Sequence, residues 1–473
     1  MRFYIVRILL LLAVYVISIS CEEQQVISNN QVHFTQVDKS NWPIDLSKYL
    51  SNVVVRFQYE DDLARSNLFN VIASAKNETN VEIWSNSYLK KSIDLNFINQ
   101  DFLRNFIEIL QKKNNMLGIS YKIMIDDLSQ AIFETFQEEE NSNGDSLEIS
   151  QDLFFKSYRP LKSIYAWMDL LVQTYPHLIS VEWIGQTFEG KDLKAVRISN
   201  HNSDITNKKT IVITGGLHAR EWISVSSTCY IIYQLLSRYE QSIYGKAKYS
   251  KEKYFLDNLD FLILPVMNPD GYEYTWTQDR LWRKNRQETY ISRCFGIDID
   301  HSFDYHWTHS DDNPCGEDYS GEAAFESLEA QLWNKYLNDT NKSHNIYGYI
   351  DLHSYSQEVL YPYAYSCEQQ PRDAENLIEL AYGLSKAIRL KSGEHYDVLS
   401  ACLEKDVDLL PSLGSGSALD YMYHNRAFWA FQIKLRDDGT HGFLLPTKYI
   451  QPVGKEIYSA IRYFCTFVLE IGE

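Results

Sequence analysis

The run Ile211-Val-Ile-Thr-Gly-Gly-Leu-His-Ala-Arg-Glu-Trp222 constrains this chain more than any other stretch. Its first half is apolar and β-branched, the pattern of a strand buried on both faces. Two glycines end the run, and His218 and Glu221 then follow three positions apart. An imidazole and a carboxylate on one short turn can reach the same zinc ion. A third ligand from elsewhere in the chain would leave one coordination position open, which is the layout of a catalytic zinc site.

Other apolar runs, Thr210–Thr214, Phe261–Pro265 and Tyr347–Leu352, alternate with helical patterns at Leu161–Thr174, Ile223–Tyr239 and Ala374–Leu390. This alternation predicts an α/β fold over residues 153–473, with a mixed central sheet flanked by helices. The turn at His218 then lies at the C-terminal end of a strand, where open α/β sheets place their sites. A chain of 473 residues exceeds one ordinary core, so a second folded unit is expected. It is read at residues 51–137. Strands at Val53–Tyr59, Val81–Trp84, Ser92–Phe97 and Ile119–Ile125 interleave with helices at Leu63–Ala75 and Phe102–Lys112, and a further helix follows at Leu128–Phe136. The order β-α-β-β-α-β is that of a small ferredoxin-like α+β sandwich. Residues 21–50 are polar and without period, hence irregular, and residues 138–152 form an acidic linker.

Residues 1–20 read as a signal peptide. Arg2 and Arg7 supply the positive end, Ile8–Ile17 is apolar, and Ser18 and Ser20 are small residues ahead of Cys21. The expected route is the secretory pathway, ending in a vacuole or outside the cell, where disulfides form. Asn77, Asn338 and Asn341 stand in Asn-x-Ser/Thr acceptors on that route. Cys294 and Cys315 bracket a polar stretch and are the expected disulfide. Cys367 with Cys402 is a second candidate pair, and Cys229 and Cys465 lie in apolar helical patterns as buried thiols. A net charge of −18 excludes nucleic acid and anionic membrane surfaces as main partners. No apolar run after residue 20 is long enough to span a bilayer.

His353, after Tyr347–Leu352, is the candidate third ligand. With it the motifs form an ordered set: His218-Ala-Arg-Glu-Trp222, Asn268-Pro-Asp-Gly-Tyr272, Asp279-Arg-Leu-Trp-Arg-Lys284, His353-Ser-Tyr-Ser-Gln357 and Leu435-Arg-Asp-Asp438. Over residues 153–473 this set resembles the zinc metallocarboxypeptidases of the pancreatic A/B type (peptidase M14), and the module before it resembles that family's propeptide. The resemblance implies one zinc per chain, held by His218, Glu221 and His353, with Asp298 orienting the first histidine. It implies that Arg283 faces the scissile carbonyl. It also makes Arg220 and Arg280 accessory substrate arginines, with Ser354 and Tyr355 near the substrate.

The chain departs from the family at three places. Asp300 and His301 stand where an Asn-Arg pair grips the substrate's terminal carboxylate; Asp300 repels a carboxylate and His301 offers no guanidinium fork. Ser412 stands near the place of a mobile tyrosine. Lys434 replaces the glutamate that serves as general base, and an ammonium has no lone pair with which to accept a proton. Lys434 and Asp300 are expected to form an ion pair across the cleft.

The chain therefore most resembles the fungal inactive metallocarboxypeptidase-like proteins linked to cell-wall organisation. That resemblance implies a secreted zinc-binding pseudoenzyme with a peptide or cell-wall ligand. The competing readings are an active carboxypeptidase using Lys434 as an unusual base, and a peptide- or glycan-binding module without turnover. Residues 123–155 contain no lysine or arginine, so a trypsin-like activator finds no site in the linker. N-terminal sequencing of the mature protein is expected to show the small module still attached. A mature start near residue 150 would contradict this.

Overall fold

An eight-stranded mixed sheet carries the larger part of the chain, its strands lying side by side in the order Asp397–Ser400, Glu358–Tyr361, Trp429–Leu435, Asn345–Ser354, Lys209–Gly215, Leu259–Leu264, Asp192–Ile198 and Ile179–Gln186. The computed structural model describes residues 42–76, 81–112, 116–136, 153–203, 205, 207–243, 251–309, 313–340, 344–404 and 414–470. The small module contributes β1 (Val53–Tyr59), β2 (Val81–Ser87), β3 (Ser92–Phe97) and β4 (Ile119–Ile125). The large sheet is built from β5 (Ile179–Gln186), β6 (Asp192–Ile198), β7 (Lys209–Gly215), β8 (Leu259–Leu264), β9 (Asn345–Ser354), β10 (Glu358–Tyr361), β11 (Asp397–Ser400) and β12 (Trp429–Leu435).

The centre of the large sheet is parallel: β8, β7, β9 and β12 pair in the same direction. These strands read as continuous apolar runs because both faces are covered. In β8 every residue is buried. The helices Trp222–Ile243 and Ile450–Glu470 pack on each other and on this centre, the second through Phe464 and Phe467 against Phe431, Gly348 and Trp429. In the second helix Val453, Ile457, Ile461, Phe464 and Val468 are buried, spaced three or four apart along one face. Antiparallel pairing extends the sheet on each side, with β6 and β5 beyond β8 and β10 beyond β12, and β11 forms the second edge parallel to β10. The sequence reading places no strand over Ile179–Ile198. There Glu182, Lys194 and Arg197 interrupt the apolar pattern, as suits strands at a half-wet edge.

The small module forms a four-stranded antiparallel sheet in the order β2-β3-β1-β4, with helices Asp62–Lys76 and Gln100–Lys112. Val55, Phe57, Leu68, Leu95, Phe97 and Phe106 fill its own core, separate from that of the large sheet. Both modules belong to one compact unit, Pro43–Glu473. Residues 43–50, read as irregular, hold only a short turn of 3-10 helix but are packed in, with Ile44, Leu46 and Tyr49 buried.

Disulfides join Cys294 to Cys315 and Cys367 to Cys402, and Cys229 and Cys465 are buried free thiols. Asn338, near the end of helix Leu328–Asp339, accepts a hydrogen bond from Arg426 through its side-chain oxygen. Asn77, Asn341, Cys21, Ser412, residues 1–20 and the linker 138–152 lie outside the described residues. Among the described residues no helix is long and apolar enough to cross a membrane.

One core acid links the fold to pH. Glu329 is fully buried. Its Oε2 accepts from Asn285 Nδ2 at 2.7 Å and Ser327 Oγ at 3.1 Å, while Oε1 has no hydrogen-bond partner among the described residues. Burial raises its pKa from 4.5 to about 7, outweighing the hydrogen bond from Asn285. Between those values the folded chain holds a proton that the unfolded chain releases, so stability falls as pH rises through this window. Glu329→Gln is expected to remove on the order of 3 kcal/mol of that pH dependence. Urea unfolding at pH 4.5 and pH 8 measures it, and an unchanged pH dependence would contradict the assignment.

Candidate metal centre and the covered cleft

The site begins where β7 ends. Gly216 takes φ +68°, and a Cβ there would meet Val225 Cγ2 at 2.8 Å, so the turn needs glycine on both counts. The turn delivers His218, Arg220 and Glu221 just ahead of the helix that starts at Trp222. Strand β9 runs parallel to β7 with Leu352 opposite Gly215, which sets His353 beside the turn. The sequence reading ends that strand at Leu352. It continues through His353 to Ser354 because β12 pairs with it that far.

Three buried side chains converge here. His218 Nδ1 lies 2.8 Å from Glu221 Oε1, His353 Nδ1 lies 3.1 Å from Glu221 Oε2, and the two Nδ1 atoms are 3.2 Å apart. One ligand atom from each residue falls within 4.8 Å of the others. The outer ring nitrogens are engaged: His218 Nε2 with Asp298 Oδ1 at 3.2 Å, His353 Nε2 with Asp351 Oδ2 at 3.0 Å. A carboxylate behind each ring favours the Nε2–H tautomer and turns the Nδ1 lone pair inward. Two inward lone pairs and a carboxylate meeting at one point call for a cation, so the donor set fits a zinc ion.

Protons compete with a metal for these lone pairs, and the charges around the cluster show how strongly it favours a positive centre. Burial alone would raise the Glu221 pKa, but His218 and His353 hold it far below the usual carboxylate range. Burial opposes a charge on His353, yet Asp351 and Glu221 lift it well above the ordinary imidazole value. Asp298 is likewise held low against burial, by Arg283, His218 and His301.

The arginines are already engaged. Arg283 donates from Nε and an Nη to one oxygen of Asp298, at 3.0 and 2.7 Å. Arg220 is buried between two acidic side chains: Glu317 at 3.0 Å, and Glu82 of the small module at 3.3 Å. Burial raises the Glu317 pKa to about 8; Arg220 works against this and Glu82 adds to it. Ser354 donates its backbone N–H to Glu221 Oε2 at 3.0 Å, and Tyr355 donates its hydroxyl to Asp94 of the small module at 2.7 Å.

Two expectations are corrected. Arg280 is not a cleft residue: it is fully buried, donates to Thr135, Arg220 and Phe443, and stacks on Trp222 at 3.7 Å. It is absent from the residues lining the cleft. The Lys434–Asp300 ion pair does not form. Asp300 accepts from the Ala418 N–H at 2.9 Å and Gln432 Nε2 at 3.3 Å, while Lys434 Nζ lies 3.6 Å from Glu358 Oε2. The register explains this, because Lys434 sits opposite Glu358 on one side and His353 on the other. His301 stays near Asp298 at 3.7 Å and directs Nδ1 at the Ser415 carbonyl at 3.3 Å.

The cleft holds a half-open cavity of about 470 Å³, and the small module forms one wall of it with Glu82, Trp84 and Ser85. Asp351, Glu358, Gln432 and Glu82 were not singled out from the sequence. Two of them leave a local trace: Asp351-x-His353 and Gln432-x-Lys434 are two-residue spacings that place both members on one strand face. Glu358 and Glu82 are brought in by register and by contact between modules.

Residues 164–460 match the zinc carboxypeptidase family, peptidase M14. The chain is 55% identical over 370 residues to a Saccharomyces cerevisiae protein named inactive metallocarboxypeptidase ECM14, covering 77% of this chain and 84% of the relative. It is 38% identical over 453 residues to a protein of the same name from Uncinocarpus reesii, covering 89% and 74%. Among solved structures it is similar to the crystal structure of thrombin activatable fibrinolysis inhibitor. There the TM-score is 0.74 at 25% identity, over 89% of this chain and 100% of that one.

Arg280→Ala removes a buried guanidinium and leaves its acceptors unpaired. The expected cost is about 3 kcal/mol in urea unfolding with no change in metal content. Unchanged stability with weaker metal or ligand binding would return Arg280 to the cleft.

Proposed function

The chain belongs to the zinc carboxypeptidase family, and from that premise we propose that it is a catalytically inactive member that holds a metal ion. The observation that carries this reading is Lys434, paired with buried Glu358 and standing opposite His353 where the family has its general base. A paired ammonium has three donors and no acceptor, so it cannot take a proton from an attacking water. The engaged arginines support the same conclusion. Arg283 is committed to Asp298, and Arg220 to Glu82 and Glu317. Asp300 and His301 supply no fork for a terminal carboxylate.

His218, Glu221 and His353 would hold the ion, with Asp298 and Asp351 fixing the imidazoles. Zinc bound there would act as a Lewis acid, and it would also tie the turn after β7 to the end of β9. The small module stays over the cleft in this reading, because its contacts are buried and polar and its linker lacks basic residues. The two disulfides are consistent with a secretory route.

Metal content and peptidase assays test the proposal together. The intact protein is expected to carry one zinc, lost in His218→Ala and His353→Ala. A protease site placed within residues 138–152 allows the linker to be nicked. Neither nicked nor intact protein is expected to release C-terminal residues from a panel of peptides. Clear release by the wild-type chain would make it an active carboxypeptidase.

A further inference from the structure

Lys434 has a second consequence, in the attachment of the small module. Glu358 begins β10 and is fully buried. One of its oxygens, Oε1, accepts from the hydroxyl of Ser87 at 3.0 Å; the other, Oε2, faces Lys434 Nζ at 3.6 Å. Ser87 ends β2 in the small module and is itself buried. Lys434 is about one-fifth exposed and lines the cleft. One carboxylate thus joins the floor of the cleft to its cover.

The segment after His353 gathers further contacts from the same β2–β3 region. Ser85 and Ser356 share a hydroxyl hydrogen bond of 3.1 Å, and Lys90 donates to the Ser356 carbonyl. Asp94, which accepts from Tyr355, is paired with Arg56 at 2.7 Å. Most of these contacts are neutral or complete within the small module. The Glu358 carboxylate differs, because its charge is balanced from the large module by a residue that also lines the cleft.

We infer that Lys434 and the buried Glu358 act as one ion pair that fastens the small module, with Ser87 as the fastened group. A buried carboxylate needs a cation and hydrogen-bond donors to stay ionised, and an ionised acceptor binds a hydroxyl more strongly than a neutral one. Lys434 supplies the charge directly across the strand pair, and Ser87 supplies the donor. A glutamate at position 434 would instead set two carboxylates face to face in this register. The residue that removes the base therefore also secures the lid, independently of metal occupancy or peptide cleavage.

Hydrogen exchange on the full chain tests this without reference to activity. Lys434→Met is expected to speed exchange of the β2–β3 amides, Val81–Phe97, at least tenfold while β8 amides hold their rates. Glu358→Gln keeps an acceptor for Ser87 without the charge, so its effect is smaller. Adding Lys434→Met to Glu358→Gln then changes little, as coupled residues require. Ser87→Ala leaves the ion pair in place, so it tests the tether even if Lys434→Met does not fold; about a threefold rise is expected. A change below twofold in Lys434→Met, effects that multiply independently in the double variant, or unaltered β2–β3 exchange in Ser87→Ala would each overturn the inference.

Discussion

The parallel pairing of β12 with β9 is the constraint on which the rest of the site depends. It sets Lys434 opposite His353 and Gln432 opposite Asp351, and Lys434, His353 and Gln432 line the cleft. In β12 Phe431, Ile433 and Leu435 are buried while Gln432 and Lys434 line the cleft, so a one-residue slip would exchange apolar and polar side chains between core and cleft, and the core fixes the register. Position 434 therefore stands beside His353, whatever side chain it carries. The antiparallel neighbour β10 then decides what that side chain can do, because it sets Glu358 against the same position.

From this frame the charges resolve into closed groups. Arg283 is taken up by Asp298, Arg220 by Glu82 and Glu317, and Lys434 is paired with Glu358. In a working peptidase the cations of the cleft would face the substrate; here internal carboxylates engage them, and one of these comes from the cover. What remains directed inward is the pair of Nδ1 atoms and the Glu221 carboxylate. The chain keeps a donor cluster that fits an ion beside a lysine that has no lone pair to move a proton. The same exchange that removes the base reinforces the contact between the modules.

Much of this was legible in the sequence. Helix Leu161–Thr174 and strands β1, β3 and β4 stand where the periodicity places them, because their apolar spacing is regular and their flanks are polar. The β5–β6 hairpin was not legible, since its charged residues break the alternation at a half-wet edge. In the site, His218 and Glu221 declare themselves on one turn, and His353 through its place in an ordered motif set. Lys434 is visible as a departure, but its partner is not. Asp300 and Glu358 are both acids distant in sequence, and only the pairing of β10 with β12 selects Glu358. Arg280 lies inside a matched motif, yet Trp222 and three buried acceptors hold it below the cleft.

The central claim is that a metal-ligand set persists beside a lysine paired with Glu358. Anomalous diffraction at the zinc edge, from crystals of the intact protein, tests this most directly. The account predicts one peak among His218, Glu221 and His353, with Lys434 turned to Glu358. A cleft without a peak, or a peak with Lys434 turned away from Glu358 toward the ion, would contradict it.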